Sequence, residues 1–114
     1  MAGVPAPVEL TTRADTVFAT LTGDFDMQAT FTVEPALERA LETPGLQRIE
    51  LDRDGLDVID STGMGVIVRL HAEARQRGIA LELRRGPPHV HRVFEKAGLA
   101  DALPFRPADG RQTA

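Results

Sequence analysis

The feature that most constrains this chain is a change of apolar period that recurs along it. Val17-Phe18-Ala19-Thr20-Leu21-Thr22, Arg48-Ile49-Glu50-Leu51-Asp52 and Ile79-Ala80-Leu81-Glu82-Leu83-Arg84 run with the two-residue repeat of strands that bury one face. Between the first two, Val33, Ala36, Leu37, Ala40 and Leu41 fall at helical spacing and form one apolar stripe. Ile67, Leu70 and Ala74 form a second stripe before the last strand, and Val90, Val93, Phe94 and Ala97 a third after it. With Val8-Glu9-Leu10-Thr11-Thr12 as an opening strand, the order is β, β, α, β, α, β, α. Helices that join successive strands imply right-handed parallel crossovers, hence a small α/β domain with a mixed sheet. Alternating rather than continuously apolar strands place the helices mainly on one face of that sheet.

The punctuation fits this order. Residues 1–7, with Pro5 and Pro7, read as a flexible lead-in, and residues 13–16 as the turn of a hairpin. Gly23-Asp24-Phe25-Asp26 closes the second strand in an acidic corner, either a plain turn or a contact site. Pro35 is tolerable only in a first helical turn, so the first helix is expected to begin near residue 32 or 33 with Thr32 as its cap. Arg53-Asp54-Gly55 reads as a break after the third strand. The second helix should run over about 63–77 with Gly78 beyond it, and the third should start at Pro87-Pro88 and end at Gly98. Residues 103–105 are either a last edge strand or a packed tail, and 106–114 read as frayed. The domain thus spans 8–105.

Residues 58–66, Val58-Ile59-Asp60-Ser61-Thr62-Gly63-Met64-Gly65-Val66, sit where a strand ends and a helix starts. Ser61 or Thr62 offers the hydroxyl that a helix N-terminus prefers as its cap. Two glycines in a first helical turn cost about 1 kcal/mol each relative to alanine, which suggests that bare backbone is needed there for close approach. Met64 between them is either core or an exposed apolar contact. In α/β sheets function gathers at the carboxyl ends of strands, where both this stretch and the Gly23 to Asp26 corner fall, so the two are expected to be neighbours.

Composition narrows what such a site can do. The chain has 114 residues, no cysteine, no Trp, no Tyr and a formal charge of -4. That excludes disulfides and thiolate chemistry and gives neither the basic footprint nor the aromatic platforms of a nucleic-acid binder. No apolar run is long enough to span a bilayer and no signal peptide is evident, so the reading is cytoplasmic.

The catalytic alternatives lack parts. A serine-hydrolase elbow would need glycine where Ile59 stands, and none of His71, His89 and His91 is placed beside Ser61 as a base. His89 and His91, two apart on a helix, do not share a face and read as solvated rather than metal-binding. Asp52, Asp54, Asp57 and Asp60 lack the glycine position and terminal Glu of a calcium loop. No Gly-Lys-Ser/Thr loop occurs, and Val68 stands where a third glycine would complete a dinucleotide fingerprint. No cofactor, metal or catalytic residue is therefore expected, and the chain reads as an acceptor of chemistry rather than an enzyme.

Ile59-Asp60-Ser61-Thr62-Gly63-Met64-Gly65-Val66, with Gly23-Asp24-Phe25-Asp26 and the Val93-Phe94-Glu95-Lys96-Ala97-Gly98-Leu99 ending, resembles the STAS domain of bacterial anti-sigma-factor antagonists over about residues 8–105. Asp24-Phe25 departs from the Glu-Leu usual in that corner but leaves Asp26 in register. The resemblance implies partner switching. The unmodified protein binds an anti-sigma factor that is also a serine kinase and so releases the sigma factor, its indirect partner. Phosphorylation at Ser61, with Thr62 as alternate acceptor, ends binding, and a phosphatase restores it. Asp26, Asp60, Ser61, Thr62, Gly63, Met64 and Gly65 are then the partner-binding residues. A phosphate at a helix N-terminus should meet free backbone N–H groups, so the fold should tolerate it while an interface flush against Gly63 and Gly65 should not. A STAS module that acts unphosphorylated as a regulatory or structural subunit of a transport or signalling complex is the alternative, and a small-molecule or nucleotide sensor a third.

Overall fold

The computed structural model describes residues 7–84 and 86–106. Its elements are β1 (Val8–Arg13), β2 (Thr16–Phe25), α1 (Met27–Leu41), β3 (Arg48–Ile59), α2 (Ser61–Gln76), β4 (Ala80–Leu83) and α3 (Pro88–Lys96). The four strands form one mixed sheet in the order β1-β2-β3-β4, with β1 antiparallel to β2 and the other pairs parallel. The expected mixed sheet and element order are therefore what the chain adopts.

The pairing register explains the burial. Val17 lies opposite Ile49 and Ala19 opposite Leu51, and these in turn face Leu81 and Leu83, so one sheet face is continuously apolar. On it pack Val33, Leu37, Ala40 and Leu41 of α1 and Val66, Ile67, Leu70 and Ala74 of α2. The intervening positions carry charge instead: Arg48, Glu50, Glu82 and Arg106 form an ion-pair cluster. Arg106, expected to fray, is thus held by Glu82 and Glu50. Just before it, Phe105 makes a parallel bridge to Leu83, which decides for a packed edge contact at residues 103–105. Of the expected lead-in (1–7) and tail (106–114), residues 1–6 and 107–114 lie outside the described residues, while the Pro7 carbonyl accepts from the Thr22 N–H at 3.1 Å.

Two boundaries depart most from the sequence reading, each for a physical reason. Helix α1 starts at Met27, with Asp26 rather than Thr32 as its cap. Its first turn and a half extends past the core with Met27 and Phe31 exposed, so no apolar stripe announces it. Pro35 lies inside the helix and leaves the Phe31 carbonyl without its helical donor, but Phe31 is 75% exposed and water can serve there. Strand β3 does not break at residues 53–55. It bulges, with register shifts against β2, and Gly55 permits this because a Cβ there would meet Thr22 Cγ2 at 2.9 Å.

Arg53 continues the inward phase of Ile49 and Leu51 into the bulge. Fully buried, its guanidinium carbon sits 4.9 Å from the Phe94 ring centre and 4.6 Å from that of Phe105, and Nε–H donates to the Arg84 carbonyl at 2.6 Å. His91 is not solvated either. It is 6% exposed and meets Phe105 edge to face at 4.8 Å. On the same helix Ala97, expected in the stripe, is exposed, and Val90, His91 and Phe94 are the buried residues.

Candidate functional site

The two parallel strands β2 and β3 end side by side, with Asp24 opposite Val58 and Phe25 opposite Ile59. Each then turns directly into a helix through an aspartate. Asp26 (φ -106, ψ -173) and Asp60 (φ -115, ψ -174) have almost the same backbone conformation and both cap with their side chains. Asp26 Oδ1 accepts from the Ala29 N–H at 3.0 Å. Asp60 Oδ1 accepts from the Thr62 N–H at 3.0 Å and the Gly63 N–H at 3.1 Å, and the Asp60 N–H donates to the Phe25 carbonyl at 3.3 Å. The two corners are neighbours, as expected. The cap of α2 is Asp60, however, and neither Ser61 nor Thr62: its Oδ1 alone reaches both the Thr62 and the Gly63 amides. An apolar residue followed by Asp at both strand ends, Phe25-Asp26 and Ile59-Asp60, is the sequence signal that marks this doubled start.

The two hydroxyls differ in state. Thr62 Oγ1 donates to Asp60 Oδ1 at 2.5 Å, whereas the exposed Ser61 hydroxyl has no hydrogen bond among the described residues. The Thr62 hydroxyl, then the Gly63 N–H, and further the Thr62 and Met27 amides hold the Asp60 carboxyl below its ordinary value of 3.8, against a smaller opposing effect of burial. A carboxylate so stabilised is a poor proton acceptor, so it does not activate Ser61 as a nucleophile. The histidines are elsewhere. His71 is ten residues along α2, about 15 Å at the helical rise, His91 is buried in α3, and His89 Nε2–H donates to the Asp57 carbonyl at 2.6 Å.

The glycines also divide. Gly63 is buried, and a Cβ there would lie 2.5 Å from the Phe25 carbonyl oxygen and 3.0 Å from Phe25 Cγ. Its bare backbone admits the neighbouring strand end, which corrects the expectation that it lies open to a partner. Gly65 is the glycine with outward room: a Cβ there meets only Arg69 Nη1 at 3.4 Å. Met64 is half-buried and packs against the core. Phosphate contacts need a similar correction. Asp60 already engages the Thr62 and Gly63 amides, and the Met64 N–H donates to the Asp60 carbonyl, so only the Ser61 N–H of this turn has no partner among the described residues. What sequence reasoning missed is on α1: Met27 and Phe31, 59% and 75% exposed, stand beside this site without any periodicity to reveal them.

Residues 7–110 match the STAS domain family. The chain belongs to the STAS domain family. Among its relatives is an anti-sigma F factor antagonist from Paenibacillus polymyxa, 25% identical over 98 residues that cover 86% of this chain and 84% of that one. Of the solved structures, the anti-sigma factor antagonist SpoIIAA in its unphosphorylated form superposes with a TM-score of 0.73 at 21% identity, covering 90% of each chain. The Bacillus cell fate determinant SpoIIAA in its phosphorylated form gives 0.67 at 20% identity, covering 90% of this STAS domain and 93% of that chain. This STAS domain therefore shares the SpoIIAA fold, and it has no helix among the described residues long and apolar enough to cross a membrane.

Proposed function

We propose that this STAS domain is an anti-sigma-factor antagonist, a binding protein rather than an enzyme, whose docking surface is switched by phosphorylation of Ser61. One observation carries the reading: of two adjacent hydroxyls at the start of α2, that of Thr62 is engaged by the Asp60 carboxylate and that of Ser61 is exposed and unengaged. The kinship with an anti-sigma F factor antagonist, and the likeness to a protein whose unphosphorylated and phosphorylated forms have both been solved, support the same reading.

In this reading the unmodified domain captures an anti-sigma factor that is also a serine kinase and so frees a sigma factor. Phosphorylation adds about -1.5 to -2 charges to Ser61. These fall beside ionised Asp60, where two of the first-turn amides are already taken, so the phosphate stays at the surface and the fold persists. A partner surface that must desolvate both charges is penalised, and about 4 kcal/mol weakens binding roughly a thousandfold. A phosphatase reverses the change. The deciding experiment is intact mass before and after incubation with the kinase and ATP, followed by mapping of the modified residue. Gain of one phosphate on Ser61 is expected. No gain would point instead to a STAS module that works unphosphorylated within a larger complex.

A further inference from the structure

Two parallel rows of residues flank the start of the helices. On α1, Met27, Phe31 and Glu34 follow one another at helical spacing, and on α2, Ser61, Gly65 and Arg69 do the same. The rows are joined at both ends. At the near end the Asp60 N–H donates to the Phe25 carbonyl at 3.3 Å, and at the far end Arg69 Nε–H and Nη2–H donate to Glu34 at 2.8 and 3.3 Å. Between these ties Met27, Phe31, Ser61 and Gly65 share one surface.

Its chemistry is unusual for a solvent-facing patch. Phe31 is the most exposed large apolar side chain among the described residues and Met27 the next, at the opposite end of α1 from its core-packing stripe. Beside them stand Asp26 and Asp60, neither ion-paired among the described residues, while nearby Arg69 is matched by Glu34. We propose that Met27 and Phe31 are the apolar anchors of the surface beside Ser61 on which a folded protein partner docks, and that the partner meets them with an apolar pocket rimmed by basic side chains. The inference rests on the function proposed above and extends the docking surface from α2 to α1.

Charge selects this occupant over the others. In a two-fold dimer the same patch meets itself and would press Asp26 and Asp60 against their own copies. An anionic membrane surface is repelled for the same reason. The adjoining groove between Glu34, Leu37, Val66 and Leu70 is shallow and open, and offers little burial to a small-molecule ligand. A basic-rimmed protein surface satisfies the acids and buries the anchors, and a phosphate on Ser61 would arrive inside that same contact.

The test uses the full chain and the purified serine kinase that modifies Ser61. Phe31→Ala should weaken capture of the kinase about thirtyfold, and Met27→Ala should weaken it in the same direction, with thermal midpoints unchanged or raised because both residues are exposed on a helix. Leu10→Ala, an exposed apolar residue on β1, should bind as the wild type does. Capture should also weaken as salt is raised. Unchanged affinity of Phe31→Ala for a kinase that still phosphorylates Ser61 overturns the inference and leaves the proposed function standing. Failure of the kinase to bind or modify the wild type overturns both. Sedimentation of the chain alone supplies the remaining outcome: a dimer that Phe31→Ala dissolves, with kinase affinity unaltered, would make a second copy the occupant and overturn the proposal.

Discussion

The Thr62 hydroxyl donates to Asp60 Oδ1 at 2.5 Å, on the same oxygen that receives the Thr62 and Gly63 amides. A threonine held in that way must give up a charge-assisted hydrogen bond before its proton can be handed to the base of a kinase, a cost of about 1.5–3 kcal/mol. Ser61 has no such cost. Thr62→Val should therefore still take up one phosphate, at Ser61, whereas Ser61→Ala should take up none. Intact mass and peptide mapping after incubation with kinase and ATP check both. Phosphate on Thr62 in the wild type would reverse the assignment.

Acidic replacement at Ser61 separates folding from binding. The side chain is exposed and takes no part in capping, so Ser61→Asp and Ser61→Glu add charge where the helix dipole favours it and should fold as the wild type does. Neither should capture the anti-sigma kinase, while Ser61→Ala should capture it constitutively. Circular dichroism and a titration against the kinase give the two readouts. Equal affinity of wild type and acidic variants would end the case for a switch.

Because Asp60 is the cap, stability should follow Asp60 and not Ser61. Ser61→Ala is expected to change unfolding free energy by less than about 0.5 kcal/mol, and Asp60→Ala to cost about 1–2 kcal/mol, by urea titration. Asp60 also ties this to pH. Its folded pKa is lowered below 3.8, chiefly by the Thr62 hydroxyl and the Gly63 N–H, so its contribution is complete above that value and is lost as pH falls through the folded value. Glu82, lowered chiefly by its Arg106 hydrogen bonds, acts in the same sense. Asn is as good a cap as Asp. Asp60→Asn should thus be close to wild type at neutral pH and lose less stability than wild type below about pH 4.

The parts of the fold that were legible in the sequence are those where burial writes a period. Val17, Ala19, Ile49 and Leu51 alternate because one sheet face is covered, and Val33 to Leu41 repeat at helical spacing because α1 lies on that face. The start of α1 was not legible, because Met27 and Phe31 face solvent and break the apolar stripe, and Pro35 is tolerated where the carbonyl it orphans belongs to an exposed residue. Arg53-Asp54-Gly55 has the composition of a turn, yet cross-strand pairing carries it through as a bulge, and Arg53 keeps the inward phase of Ile49 and Leu51, where Phe94 and Phe105 receive it. At the site, the Asp60-Ser61 pair was legible as a strand-to-helix junction. Which side chain caps it depends on whether a carboxylate or a hydroxyl reaches the amides, and that only the geometry decides.

The two glycines make the sharpest contrast. At Gly63 an added Cβ meets backbone at 2.5 Å, the carbonyl of Phe25 that also accepts from Asp60, so relief would require separating the two strand ends. Gly63→Ala should therefore destabilise the domain by about 2 kcal/mol or more, in spite of the better helix propensity of alanine. At Gly65 the nearest atom is the end of the flexible Arg69 side chain, at an ordinary contact distance, so Gly65→Ala should gain up to about 1 kcal/mol from propensity alone. That extra methyl group faces the surface between Ser61 and Arg69. If the partner docks flush there, the more stable Gly65→Ala variant should bind the kinase more weakly than wild type. Urea titration alongside a binding titration checks the pair, and a Gly65→Ala variant both more stable and equally tight in binding would remove Gly65 from the interface.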